Sequence, residues 1–141
     1  MKFYYLAPEA MQSAIFSKGI QAAADNQITL MVLKDDFIMT KFLFDVYAYE
    51  ELGVDTYCAF EISPEGMQGP LSESDSKSIF SQALKKTNQT FIDKKYLKPY
   101  ITDENYQGMG LVAGVLPIEN KEKFTEEYKQ KVLDYLKELF A

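Results

Sequence analysis

Residues 28–33, Ile28-Thr29-Leu30-Met31-Val32-Leu33, form an almost unbroken apolar run of strand length, preceded by the turn signal Asp25-Asn26. The run reads as a central strand. Downstream, Asp35 or Asp36 can cap a helix whose apolar positions include Phe37, Ile38, Met39, Phe42, Leu43, Phe44, Val46, Tyr47 and Leu52 before Gly53 ends it. Apolar residues surround most of that helix, so burial is expected; Lys41, Asp45 and its modest length argue against a membrane span. Thr56-Tyr57-Cys58-Ala59-Phe60-Glu61-Ile62 reads as the next strand, closed by Ser63-Pro64-Glu65-Gly66. Its period of two turns Glu61 away from the Cys58/Phe60 face.

Upstream of the central run, Phe3-Tyr4-Tyr5-Leu6 favours a strand, and Pro8 suits the first position of a helix. Met11, Ala14, Ile15 and Lys18 follow helical spacing, Gly19 supplies a stop, and Ile20 can pack back on the helix. Residues 67–78 are rich in Gly, Pro and Ser and read as an exposed loop, followed by a short helix over Ser78–Lys86. Thr90-Phe91-Ile92 and Leu111 to Leu116 have strand character. Near the end, Phe124, Tyr128, Val132, Tyr135, Leu136 and Leu139 recur at helical spacing, with Lys129 and its charged neighbours on the solvated side. The pattern predicts one α+β domain over residues 1–141, with a mixed, largely antiparallel sheet, helices packed on it and a C-terminal amphipathic helix.

Composition narrows the chemistry. The 141 residues contain no histidine, arginine or tryptophan, and Cys58 is the one cysteine. Within one copy there is therefore no imidazole base or ligand, no guanidinium clamp for phosphate and no cysteine–histidine pair. Cys58 sits in an apolar setting and reads as a buried thiol. The net charge of −6 argues against general nucleic-acid binding, although residues 72–98 carry six lysines against three acids. Its Lys85-Lys86 and Lys94-Lys95 pairs could meet an anionic ligand. No signal-peptide pattern or membrane-length apolar run is evident, so a cytoplasmic protein without a membrane partner is the expectation. Gly108-Met109-Gly110 precedes its strand, opposite to the order in a dinucleotide loop, and Ser72 to Ser76 lacks the spacing of a calcium loop. Glu61, Glu65, Glu73 and Asp75 read as surface acids.

Three stretches together resemble the start of ADP-ribosyltransferase-like domains, including the RNA phosphotransferase-like branch: Phe3 to Pro8, Ala14 to Ile20, and Ile28-Thr29-Leu30 followed by Thr56 to Ile62. The resemblance implies NAD as cofactor, held by a first-strand Arg or His and by a hydroxyl on the next strand, with a late acid at the reacting ribose. The matching positions are Tyr5, with Tyr4 beside it, then Thr29, with Glu104 as the catalytic acid. The first-strand cation is absent, and no Glu-x-Glu or Gln-x-Glu pair is present. The expected function is accordingly a non-catalytic nucleotide- or protein-binding, regulatory domain, with an aromatic cleft drawn from Tyr4, Tyr5 or Tyr57. The alternative is a divergent NAD-dependent ADP-ribosyltransferase or NAD glycohydrolase.

Overall fold

The computed structural model describes residues 1–34, 39–74, 80–100 and 115–140. In chain order these give β1 (Lys2–Pro8), α1 (Gln12–Lys18), β2 (Ile20–Gln21), β3 (Ile28–Leu33), α2 (Thr40–Tyr47) and β4 (Thr56–Ile62). There follow β5 (Leu71–Glu73), β6 (Leu84–Thr87), β7 (Phe91–Ile92), β8 (Leu97–Pro99), β9 (Val115–Pro117) and α3 (Glu126–Phe140). The main sheet runs β5-β6-β3-β1-β4-β8, with β9 also on β4, and β2 pairs with β7 in a small second sheet. Every strand pair among the described residues is antiparallel, so the chain is an α+β protein. The apolar run 28–33 is indeed interior, between β6 and β1.

Alternation along the strands sends side chains into two separate cores, one on each face of the sheet. Tyr4 and Leu6 of β1, Met31 and Leu33 of β3, and Tyr57 and Ala59 of β4 meet Leu43, Phe44 and Val46 of α2 and Val132, Leu133 and Leu136 of α3. On the other face Ala7, Ile28, Leu30, Cys58, Phe60 and Ile62 meet Ile15 of α1, Ile20 of β2 and Ile92 of β7. Burying each large apolar side chain contributes about 1.5–3 kcal/mol, and coverage of both faces explains why β3 and β4 read as nearly continuous apolar runs.

Several elements differ from the sequence expectation. Ser78 and Ile79 lie outside the described residues, but Leu84 to Lys86, the end of the expected helix, belong to the strand Leu84–Thr87, with β3 on one side and β5 on the other. The open edge of β3 needs a ladder partner, and that demand overrides the weak helical spacing around Ala83 and Leu84. Within the expected loop, Leu71–Glu73 forms the exposed strand β5. Pro8 ends β1, and a short 3-10 turn, Glu9–Met11, comes before α1. The proposed cap at Asp35 or Asp36 lies outside the described residues. In α3, Lys129 belongs to the buried side, whereas Tyr135 is largely exposed. The Lys129 ammonium pairs with Glu50 and with Glu126, which satisfies its charge where it is desolvated.

Candidate functional site

β1 and β3 are neighbours for only part of their length. Their ladder joins Lys2 to Leu33, Phe3 to Val32 and Tyr4 to Met31. Beyond Tyr4, among the described residues, β1 continues to Pro8 on β4 alone, and β3 begins at Ile28 on β6 alone. The centre of the sheet is therefore split, and a cavity of about 370 Å³ occupies the split. Its lining includes Leu6, Tyr47 and Leu52, which pack on the α2 side, and Tyr5, Ala7 and Ile28, which pack on the α1 side. The cavity thus passes into the gap between the strands instead of resting on one face.

The end of α2 supplies one wall. After Tyr47 the helix widens into a π-turn, Ala48–Leu52, whose closing bond runs from the Gly53 N–H to the Ala48 carbonyl. In a regular α-helix two residues five apart diverge by about 140° around the axis; the wider turn lets Tyr47 and Leu52 line the same cavity. Gly53 has φ of 65°, the left-handed conformation that ends the turn. The other side of the turn is fastened to the C-terminal region, through Glu50 to Lys129 and through the Tyr49 ring, 5.5 Å from that of Phe124.

Tyr5 and Thr29, two positions carried by the family resemblance, line this one cavity. Tyr4 does not line it. Alternation turns Tyr4 into the core, where its ring meets Phe44 edge-on at 5.0 Å and Tyr100 at 5.6 Å. Tyr57 is also fully buried, donating its hydroxyl to Asp45 Oδ1 at 2.6 Å, so it belongs to no aromatic cleft. Glu104 lies outside the described residues. Tyr47, Asp25 and Gln27 line the cavity without having been singled out from sequence. Tyr47 reads in the sequence as one more apolar position of a long helix, and the π-turn that redirects it has no composition signature.

Three hydroxyl-bearing residues line the cavity, Tyr5, Thr29 and Tyr47. None of their hydroxyls hydrogen-bonds to the protein among the described residues, and none is sealed from solvent. Burial, followed by the nearby Glu51 and Tyr5, pushes the Tyr47 phenol up to about 12. Burial, followed by Cys58, also raises Tyr5. Asp25 is held below the usual carboxylate range, first by the Gln27 N–H and then by Lys86, whose Nζ is 3.3 Å away. At neutral pH these groups are two neutral phenols and a carboxylate, so none is poised to exchange a proton. Cys58 is buried, and burial pushes its thiol up to about 11, away from nucleophilic chemistry.

Among the described residues no lysine lines the cavity, and Asp25 gives it a negative edge. The described lining residues therefore offer the pyrophosphate of NAD no charge-assisted lysine bond. Among the described residues no group of three or more acidic or thiol side chains could hold a metal ion, and no helix is long and apolar enough to cross a membrane. Comparison with protein-family models, curated proteins and solved structures finds no match.

Proposed function

We propose that this chain is a binding domain without turnover, whose split between β1 and β3 takes a planar aromatic ligand of nucleobase or nucleoside size. The observation that carries this reading is the set of three hydroxyl-bearing residues, Tyr5, Thr29 and Tyr47, their hydroxyls unpartnered among the described residues, around one half-apolar cavity. Unpaired backbone edges of β1 and β3 in the same gap add polar groups that a heterocycle can satisfy. At about 370 Å³ the cavity falls at the small end of the range for ligand sites, about 300–1,000 Å³. A tyrosine wall suits stacking, which is worth about 1–3 kcal/mol per base.

Titration calorimetry with the four ribonucleosides tests the reading. A ligand of about 20 non-hydrogen atoms at about −0.3 kcal/mol each gives about −6 kcal/mol, a Kd of tens of micromolar. The expected result is binding of at least one nucleoside in that range, weakened about 5- to 150-fold by Tyr5→Ala. Absence of binding at millimolar ligand contradicts the proposal.

A divergent NAD-dependent transferase or glycohydrolase with an ADP-ribosyltransferase-like fold is the second reading, favoured by the position of Tyr5 and Thr29 in one cavity. Its catalytic acid would be Glu104. Incubation with labelled NAD separates the two: released nicotinamide or transferred label supports the enzyme, and intact NAD beside nucleoside binding supports the binding domain.

A further inference from the structure

A second chamber, about 240 Å³, adjoins the first beneath α1. Tyr5, Met11 and Gln21 line both. The two differ in charge. The first has Asp25, paired with Lys86, at its edge, whereas the second has, among its described lining residues, no acid and one cation, Lys18. Lys18 forms no ion pair or hydrogen bond through its ammonium among the described residues. A Cβ on the adjacent Gly19 would lie 3.1 Å from the Lys94 backbone nitrogen, so the 94–95 segment runs alongside the end of α1. Lys94 is exposed, and Lys95 follows with its ammonium 5.0 Å from the Tyr96 ring centroid. The nearby Asp93 carboxylate is engaged by the Lys95 backbone N–H at 2.9 Å. Among the described residues Lys18 is thus the one basic side chain lining this chamber, on a chain of net charge −6.

We propose that the chamber beneath α1 is an anion subsite, so that the ligand is a planar aromatic group carrying a single anionic substituent, in the class of nucleoside monophosphates. This rests on the binding reading of the first chamber. The aromatic group occupies the strand split against Tyr5 and Tyr47, and the anion meets Lys18. One anionic group is specified for a physical reason. The carbonyl end of α1 and the acidic net charge both oppose further negative charge, and a single solvent-reachable lysine offsets only part of that.

The test is calorimetric titration at low ionic strength with each ribonucleoside, its 5′-monophosphate and 5′-diphosphate, and inorganic phosphate. The monophosphate should bind about fivefold more tightly than its nucleoside, corresponding to about 1 kcal/mol for an exposed charge pair. The diphosphate should gain nothing more. Lys18→Gln should abolish the monophosphate advantage while leaving nucleoside affinity unchanged, and added salt should shrink that advantage in the unmutated protein. Lys137→Gln, on α3, should have no effect. Equal binding of nucleoside and monophosphate, or an advantage that survives Lys18→Gln, overturns the anion subsite and leaves the first-chamber reading standing. Failure of both nucleosides and monophosphates to bind removes both.

Discussion

Asp45 is the buried acid among the described residues, 3% exposed, and its surroundings show how one residue ties three elements together. From α2 its carboxylate accepts hydrogen bonds from Lys41 Nζ at 2.6 Å, from the Tyr57 hydroxyl of β4 at 2.6 Å, and from the Glu119 backbone N–H at 3.2 Å just beyond β9. Lys41 also donates to the Pro117 carbonyl at 2.9 Å. Desolvation nevertheless outweighs these bonds and raises the Asp45 pKa. The folded chain thus holds the Asp45 proton more tightly than the unfolded chain does, and the group's own contribution to stability falls as pH rises through and just above the ordinary carboxylate range. Asp25, Asp55 and Glu65, lowered by hydrogen bonds from Gln27, Lys121 and Ser63 respectively, have the opposite sign: their contribution is present above the unfolded value and lost as pH falls. Denaturant unfolding across pH 3 to 7 checks this. Asp45→Asn should lose stability at neutral pH yet gain relative to the unmodified protein as pH rises, because its own slope is gone; identical slopes in the two proteins would contradict the assignment. The Lys41–Asp45 spacing is visible in the sequence as an i, i+4 pair, but its burial is not, since that depends on Tyr57 and residues 117–119 arriving from elsewhere.

At the scale of elements, the junction of α1 with β2 is tightly fitted. Gly19 has φ of 92°, and a Cβ there would lie 2.4 Å from the Ile92 carbonyl oxygen of β7, a backbone atom that cannot simply move aside. The helix stop at Gly19 follows from sequence; the close approach of a strand more than seventy residues later does not. Gly19→Ala is expected to cost about 2–4 kcal/mol, from the positive φ together with the clash, and to loosen β2 from β7. Chemical denaturation measures the cost, and a change below about 1 kcal/mol would mean that the two strands are not held in this register. Gly53 makes a useful contrast, because its φ of 65° is strained for other residues but, among the described residues, nothing lies within 4 Å of the position a Cβ would take. Strands and helices whose apolar patterns were long, such as β3, β4 and α3, could be read directly. Leu84–Thr87 could not, because four residues with two lysines become a strand only when β3 and β5 flank them.

Over the whole molecule, the α+β class and the antiparallel sheet follow from the apolar runs, but the feature that makes a site is a missing piece of pairing. Sequence patterns indicate which segments are strands; they do not indicate that β1 and β3 part after Tyr4 and Met31. That separation is why Tyr5 and Thr29, on opposite faces by alternation, can line one cavity, while Tyr4, adjacent in sequence, packs in the core. The absence of histidine and arginine likewise gains meaning from the geometry. Among the described residues the strand split is lined by neutral hydroxyl-bearing residues and a carboxylate paired with Lys86, and the adjoining chamber by Lys18.

The most direct test of this account is a two-dimensional ¹H–¹⁵N NMR titration of the full chain with the tightest-binding ribonucleoside. Binding in the strand split predicts that the largest shift changes fall on amides of Tyr5–Ala7, Ile28–Thr29, Tyr47 and Leu52, in a saturable manner, and that Tyr5→Ala weakens them together. Changes confined to another surface, such as the groove formed by Met39, Val132 and Tyr135, or no saturable changes at all, would contradict it.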